Sequence, residues 1–116
     1  MNNITKIDSN QAITEIAVYN GVVYLAGQVP NQDDLDIVGQ TQQVLANIDQ
    51  ALAKVGSDKS KLLSAQIYIK DLADFDAFNA QWIDWLTGVT PPTRATVQAH
   101  LVNPNWLIEI VVTAAV

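Results

Sequence analysis

The stretch Arg94-Ala-Thr-Val-Gln-Ala-His-Leu101, a break at Val102-Asn-Pro-Asn105, and Trp106-Leu-Ile-Glu-Ile-Val-Val-Thr-Ala-Ala-Val116 carries the clearest strand signal in the sequence. Its first half alternates, with Arg94, Thr96, Gln98 and His100 on one face and Ala95, Val97, Ala99 and Leu101 on the other. That is the period of a half-buried strand. The second half is rich in β-branched residues and apolar on both faces except at Glu109, the pattern of a central strand. The two halves read as a hairpin about Asn103-Pro104-Asn105. With an even connection, Val102 to Asn105, Leu101 pairs with Trp106, and Glu109 falls opposite Gln98 on the face of Arg94. The two Cα atoms are then four strand steps apart, roughly 13 to 14 Å at about 3.4 Å per residue. That is too far for a salt bridge, but two side chains could span it with a small acid and a water between them. An odd connection turns Glu109 to the other face.

Scarcity singles out the same residues. Arg94 is the only arginine, His100 the only histidine, and Glu109 one of two glutamates, with Glu15. Lone ionisable groups in the most apolar segment fit either a functional site or a structural role, as an ion pair or as strand-end charges, and these residues alone leave both readings open.

The 116 residues suffice for one domain with one core. The absence of cysteine removes disulfides and thiol chemistry and fits a reducing cytoplasm. The polar start Met1-Asn-Asn-Ile-Thr-Lys6 has no signal-peptide pattern, and no apolar run reaches membrane-spanning length. A soluble, cytoplasmic protein is expected. Net charge −6 and only six scattered Lys and Arg argue against nucleic acid or a membrane surface as partner. Charged residues make up 16% and hydrophobic ones 49%. A domain this small cannot readily hide that much apolar surface alone, so a homo-oligomer is expected.

Upstream, Ile4 to Asp8 and Thr14 to Tyr19 read as strands, and Asn20-Gly21 as a type I′ turn into a return strand Val22 to Ala26. Gly27, at that strand's end, reads either as a turn residue or as a place where backbone approaches a ligand. Ile37, Thr41, Val44, Leu45, Ile48, Leu52 and Val55 recur at helical spacing, and Gly56 suits the helix end. The acidic group Asp33, Asp34 and Asp36 precedes that helix and reads as capping charge rather than a cation site. Leu62 to Ile69 reads as a strand with Leu63, Ala65, Ile67 and Ile69 on one face. Asp74 is the expected N-cap of a second helix carrying Phe75, Phe78, Trp82, Trp85 and Leu86, an aromatic stripe read as core. The order β-β-β-α-β-α-β-β implies an α+β fold, with a mixed, mostly antiparallel sheet and both helices on one face. Its other face is then left for a neighbouring subunit.

There is no Gly-x-Ser-x-Gly elbow, phosphate loop, dinucleotide fingerprint or His-based metal spacing. What remains is a cofactor-free set of Arg, Glu, amide, hydroxyl and backbone groups, suited to holding a small carboxylate and moving one water.

Gly27-Gln28-Val29-Pro30, Gln40-Thr41 with Val44-Leu45 and Ile48, Lys70-Asp71-Leu72-x-Asp74-Phe75-x-x-Phe78-Asn79, Pro92-x-Arg94-Ala-Thr-Val97, and Glu109-Ile110 with Ala114-Ala115 together resemble the RidA/YjgF family of reactive intermediate deaminases. The tail Thr96-Val-Gln-Ala-x-Leu-x-Asn-Pro104 is similar to the short, YoaB-like branch. The resemblance implies a chorismate-mutase-like homotrimer with clefts between subunits, where 2-imino acids are hydrolysed to 2-oxo acids and ammonia. It implies Arg94 for the substrate carboxylate, Glu109 for the water, and Asn79 with the backbone of Ala26 and Gly27 lining the cleft. A family tyrosine near the N-terminus aligns with Ile13, leaving Tyr19 or Tyr24 as substitutes, and a family cysteine aligns with Thr96. Both departures bear on substrate range.

Overall fold

The protein is described by a computed structural model over residues 3–116, so Met1 and Asn2 of the polar N-terminal stretch lie outside it. Six strands and two α-helices follow in the order β1 (Thr5–Ser9), β2 (Thr14–Tyr19), β3 (Val22–Leu25), α1 (Ile37–Ala53), β4 (Leu62–Ile69), α2 (Phe75–Trp85), β5 (Thr93–Gln98) and β6 (Ile108–Ala115). The sheet order is β1-β2-β3-β6-β4-β5. All neighbours are antiparallel except β4 and β5, which run parallel.

The β2–β3 hairpin follows from its turn. Asn20 and Gly21 have φ of 51° and 76°, the positive pair that a type I′ turn requires. Helix α1 starts at Asp36, whose carboxylate accepts from the Gly39 N–H at 2.9 Å. Of the acidic group, Asp36 alone caps the helix, while Asp33 ties two loops together by accepting from the Asn103 side chain at 3.1 Å. Asp74 stands at the N-cap of α2, yet its side chain makes no capping bond. A 3-10 turn over Leu72–Asp74 leads into the helix instead.

One core joins the inward face of the sheet to both helices. Ile16, Val23, Ile67, Ile110 and Val112 meet Val44, Ile48 and Leu52 of α1, with Phe78 and Trp82 of α2. Leu63 does not join this face: a register shift between Leu62 and Ser64 puts Leu62 inside and leaves Leu63 47% exposed. The molecule is 20 Å across its thinnest direction, about one sheet plus one helix layer at roughly 10 Å packing distance. Nothing within the described chain covers the second sheet face, where Tyr24 is 48% exposed and Ala17, Tyr68, Val111 and Ala115 are half-buried.

The expected hairpin of the last two strands does not form. β5 pairs with β4 from Ser64↔Thr93 to Ile69↔Gln98, while β6 lies on the other side of β4, from Leu62↔Ala114 to Ile69↔Ile108. The connection wraps around the end of β4, where Ala99 N–H donates to Ile69 C=O and Lys70 N–H donates to Leu107 C=O, both at 3.0 Å. β5 therefore ends at Gln98, and His100 stands exposed beyond it. A buried side chain fixes the far end of this loop. Gln40 donates to the Leu35 and Asn105 carbonyls at 3.0 and 3.1 Å and accepts from the Leu107 N–H at 2.7 Å.

Candidate active site

Arg94 pairs with Ala65, a core-facing residue of β4, and neighbours in a ladder share a face. Its side chain therefore turns toward the helices. There Nη1 donates to Asn79 Oδ1 at 2.6 Å, and the guanidinium carbon lies 5.7 Å from the ring centre of Phe75 and 6.0 Å from that of Trp82. Residues 75, 79 and 82 sit one and two turns apart on α2, so one helix face provides the amide and both rings. The one salt bridge among the described residues is Lys54–Asp8. Arg94 is exposed and has no carboxylate partner there, so it forms no ion pair with Glu109 of the same chain.

Thr96, two residues on, shares the face of Arg94 by its pairing with Ile67. Its hydroxyl is buried and has no hydrogen-bond partner among the described residues. A buried hydroxyl without a partner is uncommon, and this one stands on the same face as a guanidinium that has no carboxylate partner among the described residues.

Glu109 lies on the opposite face. It pairs with Tyr68, while its β6 neighbours Ile108 and Ile110 point into the core. Within one chain, Arg94 and Glu109 are separated by β4, two strand spacings across and three residues along, or roughly 14 Å between Cα atoms. The common face expected for an even hairpin connection is not formed, because β4 lies between the two strands and the hairpin register does not apply. Burial raises the Glu109 pKa above its ordinary value, since desolvation disfavours the charged form.

Gly27 is the second half of this arrangement. Gln28 bridges to Ile110, with N–H to C=O bonds of 2.8 and 3.1 Å in the two directions, which brings the preceding backbone beside Glu109. A Cβ on Gly27 would collide with Glu109 Oε2 and lie 3.0 Å from the carboxyl carbon. Gly27 therefore makes room for a protein carboxylate, a role its place in the sequence did not disclose. The Ala26 carbonyl accepts from Gln28 Nε2 at 2.9 Å. Tyr24 shares the open face with Glu109 but pairs with Thr113, four residues along β6, and Ile13 is an exposed loop residue.

The singled-out residues thus fall into two groups on opposite sides of the sheet, Arg94 with Asn79 and Thr96, and Glu109 with Gly27 and Ala26. Sequence reading missed the support given to Arg94 by Phe75 and Trp82, whose spacing from Asn79 on α2 was the available signal. It also missed Tyr68 beside Glu109, which strand alternation could have found.

A family model described as endoribonuclease L-PSP matches residues 4–116. The chain belongs to the RidA/YjgF family. Among curated relatives, a RutC family protein of Haemophilus ducreyi is 47% identical over 113 residues, covering 97% of each chain. The Escherichia coli RutC family protein YoaB is 41% identical over 97% of this chain and 98% of its own. Among solved structures, a Neisseria meningitidis member of the YjgF family superposes with a TM-score of 0.93 at 37% identity, covering 97% of this chain and 94% of that one. These place the chain in the YoaB-like part of the RidA/YjgF family and agree with its two-helix, mixed six-stranded fold. No helix in the described residues is long and apolar enough to cross a membrane.

Proposed function

We propose that the protein hydrolyses reactive 2-imino or enamine acids, of the 2-aminoacrylate and 2-iminobutanoate type, to 2-oxo acids and ammonia in the cytoplasm. It works without a cofactor, as a homotrimer whose clefts unite the Arg94 half-site of one protomer with the Glu109 half-site of the next. The observation that carries the reading is the pairing of opposites: an arginine with no carboxylate partner among the described residues and a desolvated carboxylate, on opposite faces of one sheet. Each is incomplete alone and chemically complementary to the other.

In such a cleft the Arg94 fork binds the substrate carboxylate, two parallel N–H donors against two oxygens. Asn79 holds the fork, and Thr96 stands next to Arg94 on the same face of β5. With the imine nitrogen protonated as an iminium, Glu109 takes a proton from water as the water oxygen bonds to the C=N carbon and the C=N π pair moves onto nitrogen, giving a carbinolamine. Glu109 then gives that proton to the nitrogen; as the C–N bond breaks, the carbinolamine hydroxyl loses its proton to Glu109, a C=O bond forms, and ammonia leaves with that proton as ammonium. A carboxylate with a raised pKa suits this shuttle, because general acid–base catalysis works best with pKa values near the working pH.

A second reading is a trimeric small-carboxylate-binding or regulatory, chaperone-like protein without turnover, favoured by the apolar Ile13 where the family tyrosine is expected. Ammonia and 2-oxo acid release from freshly generated 2-aminoacrylate or 2-iminobutanoate separates the two. Acceleration over the buffer rate, lost in Arg94→Lys, supports the deaminase; binding of 2-oxobutanoate with no acceleration supports the alternative.

A further inference from the structure

Beside Arg94 the chain builds a cleft of about 480 Å³, within the roughly 300–1,000 Å³ range of small-molecule sites. Trp82, Ile83, Leu86, Val89 and Pro92 line it, and Arg94 with Asn79 supplies its polar end. Trp82 and Leu86 are buried, whereas Ile83 is 63% exposed. The opposite wall stands off α2 because of its backbone. Gly88 turns the chain at φ +78°, and Pro91-Pro92 have fixed φ and no N–H with which to fold back onto the helix. An apolar slot with restricted walls is preorganised for an apolar group.

We infer that this cleft is a side-chain subsite, and that the protein prefers 2-imino acids with branched or aromatic side chains over those with one or two carbons. The inference rests on the deaminase reading for its reaction, but its geometry is independent. A single cation with no carboxylate partner among the described residues meets one end of the ligand, and a lining that is apolar apart from Thr87 and Asn79 meets the other. A small acid would satisfy Arg94 and leave the slot open to water; a leucine-sized or phenylalanine-sized side chain would displace that water. Added carbons in an apolar pocket give discrimination of about tenfold or more.

Calorimetric titration of the intact protein with pyruvate and with 4-methyl-2-oxopentanoate tests this, alongside hydrolysis of the corresponding alanine- and leucine-derived imines generated in the assay. The branched acid is expected to bind at least about tenfold more tightly than pyruvate. Ile83→Trp, a change at an exposed helix position that fills the slot, is expected to reduce affinity for the branched acid far more than for pyruvate. Equal affinities for the two acids, or a preference untouched by Ile83→Trp, would overturn the subsite. If neither imine is hydrolysed faster than in buffer while the binding preference persists, the deaminase reading fails and the subsite stands. If both imines turn over without preference, the subsite fails and the deaminase reading survives.

Discussion

The guanidinium of Arg94 is held by an amide at 2.6 Å and lies against two aromatic rings, a setting in which shape counts as much as charge. Lysine keeps the charge and loses the planar fork. Arg94→Lys is therefore expected to fold with an unchanged melting temperature and to lose most imine hydrolysis; full activity in that variant would remove Arg94 from the site. Glu109→Gln leaves the carboxylate-binding end intact but lacks a proton shuttle, so turnover should fall by about 10²-fold or more while 2-oxo acid binding persists. The same substitution has a stability signature. Burial raises the Glu109 pKa in the folded state, so the native protein holds that proton more tightly than the unfolded chain. Stability is thus lost as pH rises from the ordinary carboxylate value through the raised folded value. Chemical denaturation across that window should find Glu109→Gln more stable than wild type above it, with the gap closing below it. Gly27→Ala pushes a methyl into the Glu109 carboxylate. The far end of that side chain can swing away, so the expected result is a folded protein whose turnover falls up to about 10²-fold through misplacement of the acid.

At the scale of elements, Gln40 links α1 to the start of β6 through three hydrogen bonds. Gln40→Ala leaves the Leu107 N–H and two carbonyls without these partners, and urea denaturation should register a loss of about 1–3 kcal/mol. What was legible in the sequence divides along the same line between local and distant contacts. The β2–β3 hairpin and α1 could be read because Asn20-Gly21, Asp36 and the helical spacing from Ile37 to Leu52 act through near neighbours. The Arg94–Glu109 register could not, because it depends on β4, distant in sequence, entering between β5 and β6. The missed signal was the strand–helix–strand run of β4, α2 and β5, which joins parallel strands by a helical crossover. Leu63 was misplaced for a similar reason, since a one-residue shift in a strand reverses the side-chain alternation beyond it. Alternation puts Arg94 and Thr96 on one face, as found; the placement of Glu109 and Gly27 on the other face came only with the strand order.

Taken whole, the described residues form a thin layer with helices on one side and an uncovered sheet face on the other, and Arg94 and Glu109 stand on different sides of it. Closed rotational assembly puts one surface of each copy against a different surface of the next, which is how an Arg94 half-site could meet a Glu109 half-site. Light scattering in dilute buffer should give three times the 12.6 kDa chain mass, whereas a stable, well-folded monomer would remove the shared cleft. The most direct test is complementation between defective subunits. Arg94→Lys and Glu109→Gln, each nearly inactive alone, are unfolded together in equal amounts, refolded and assayed for imine hydrolysis. If every site takes its arginine from one protomer and its carboxylate from another, random assembly restores about a quarter of the wild-type sites. Activity no greater than the average of the two parent variants, in a mixture verified to contain hybrid trimers, would contradict a site shared between subunits.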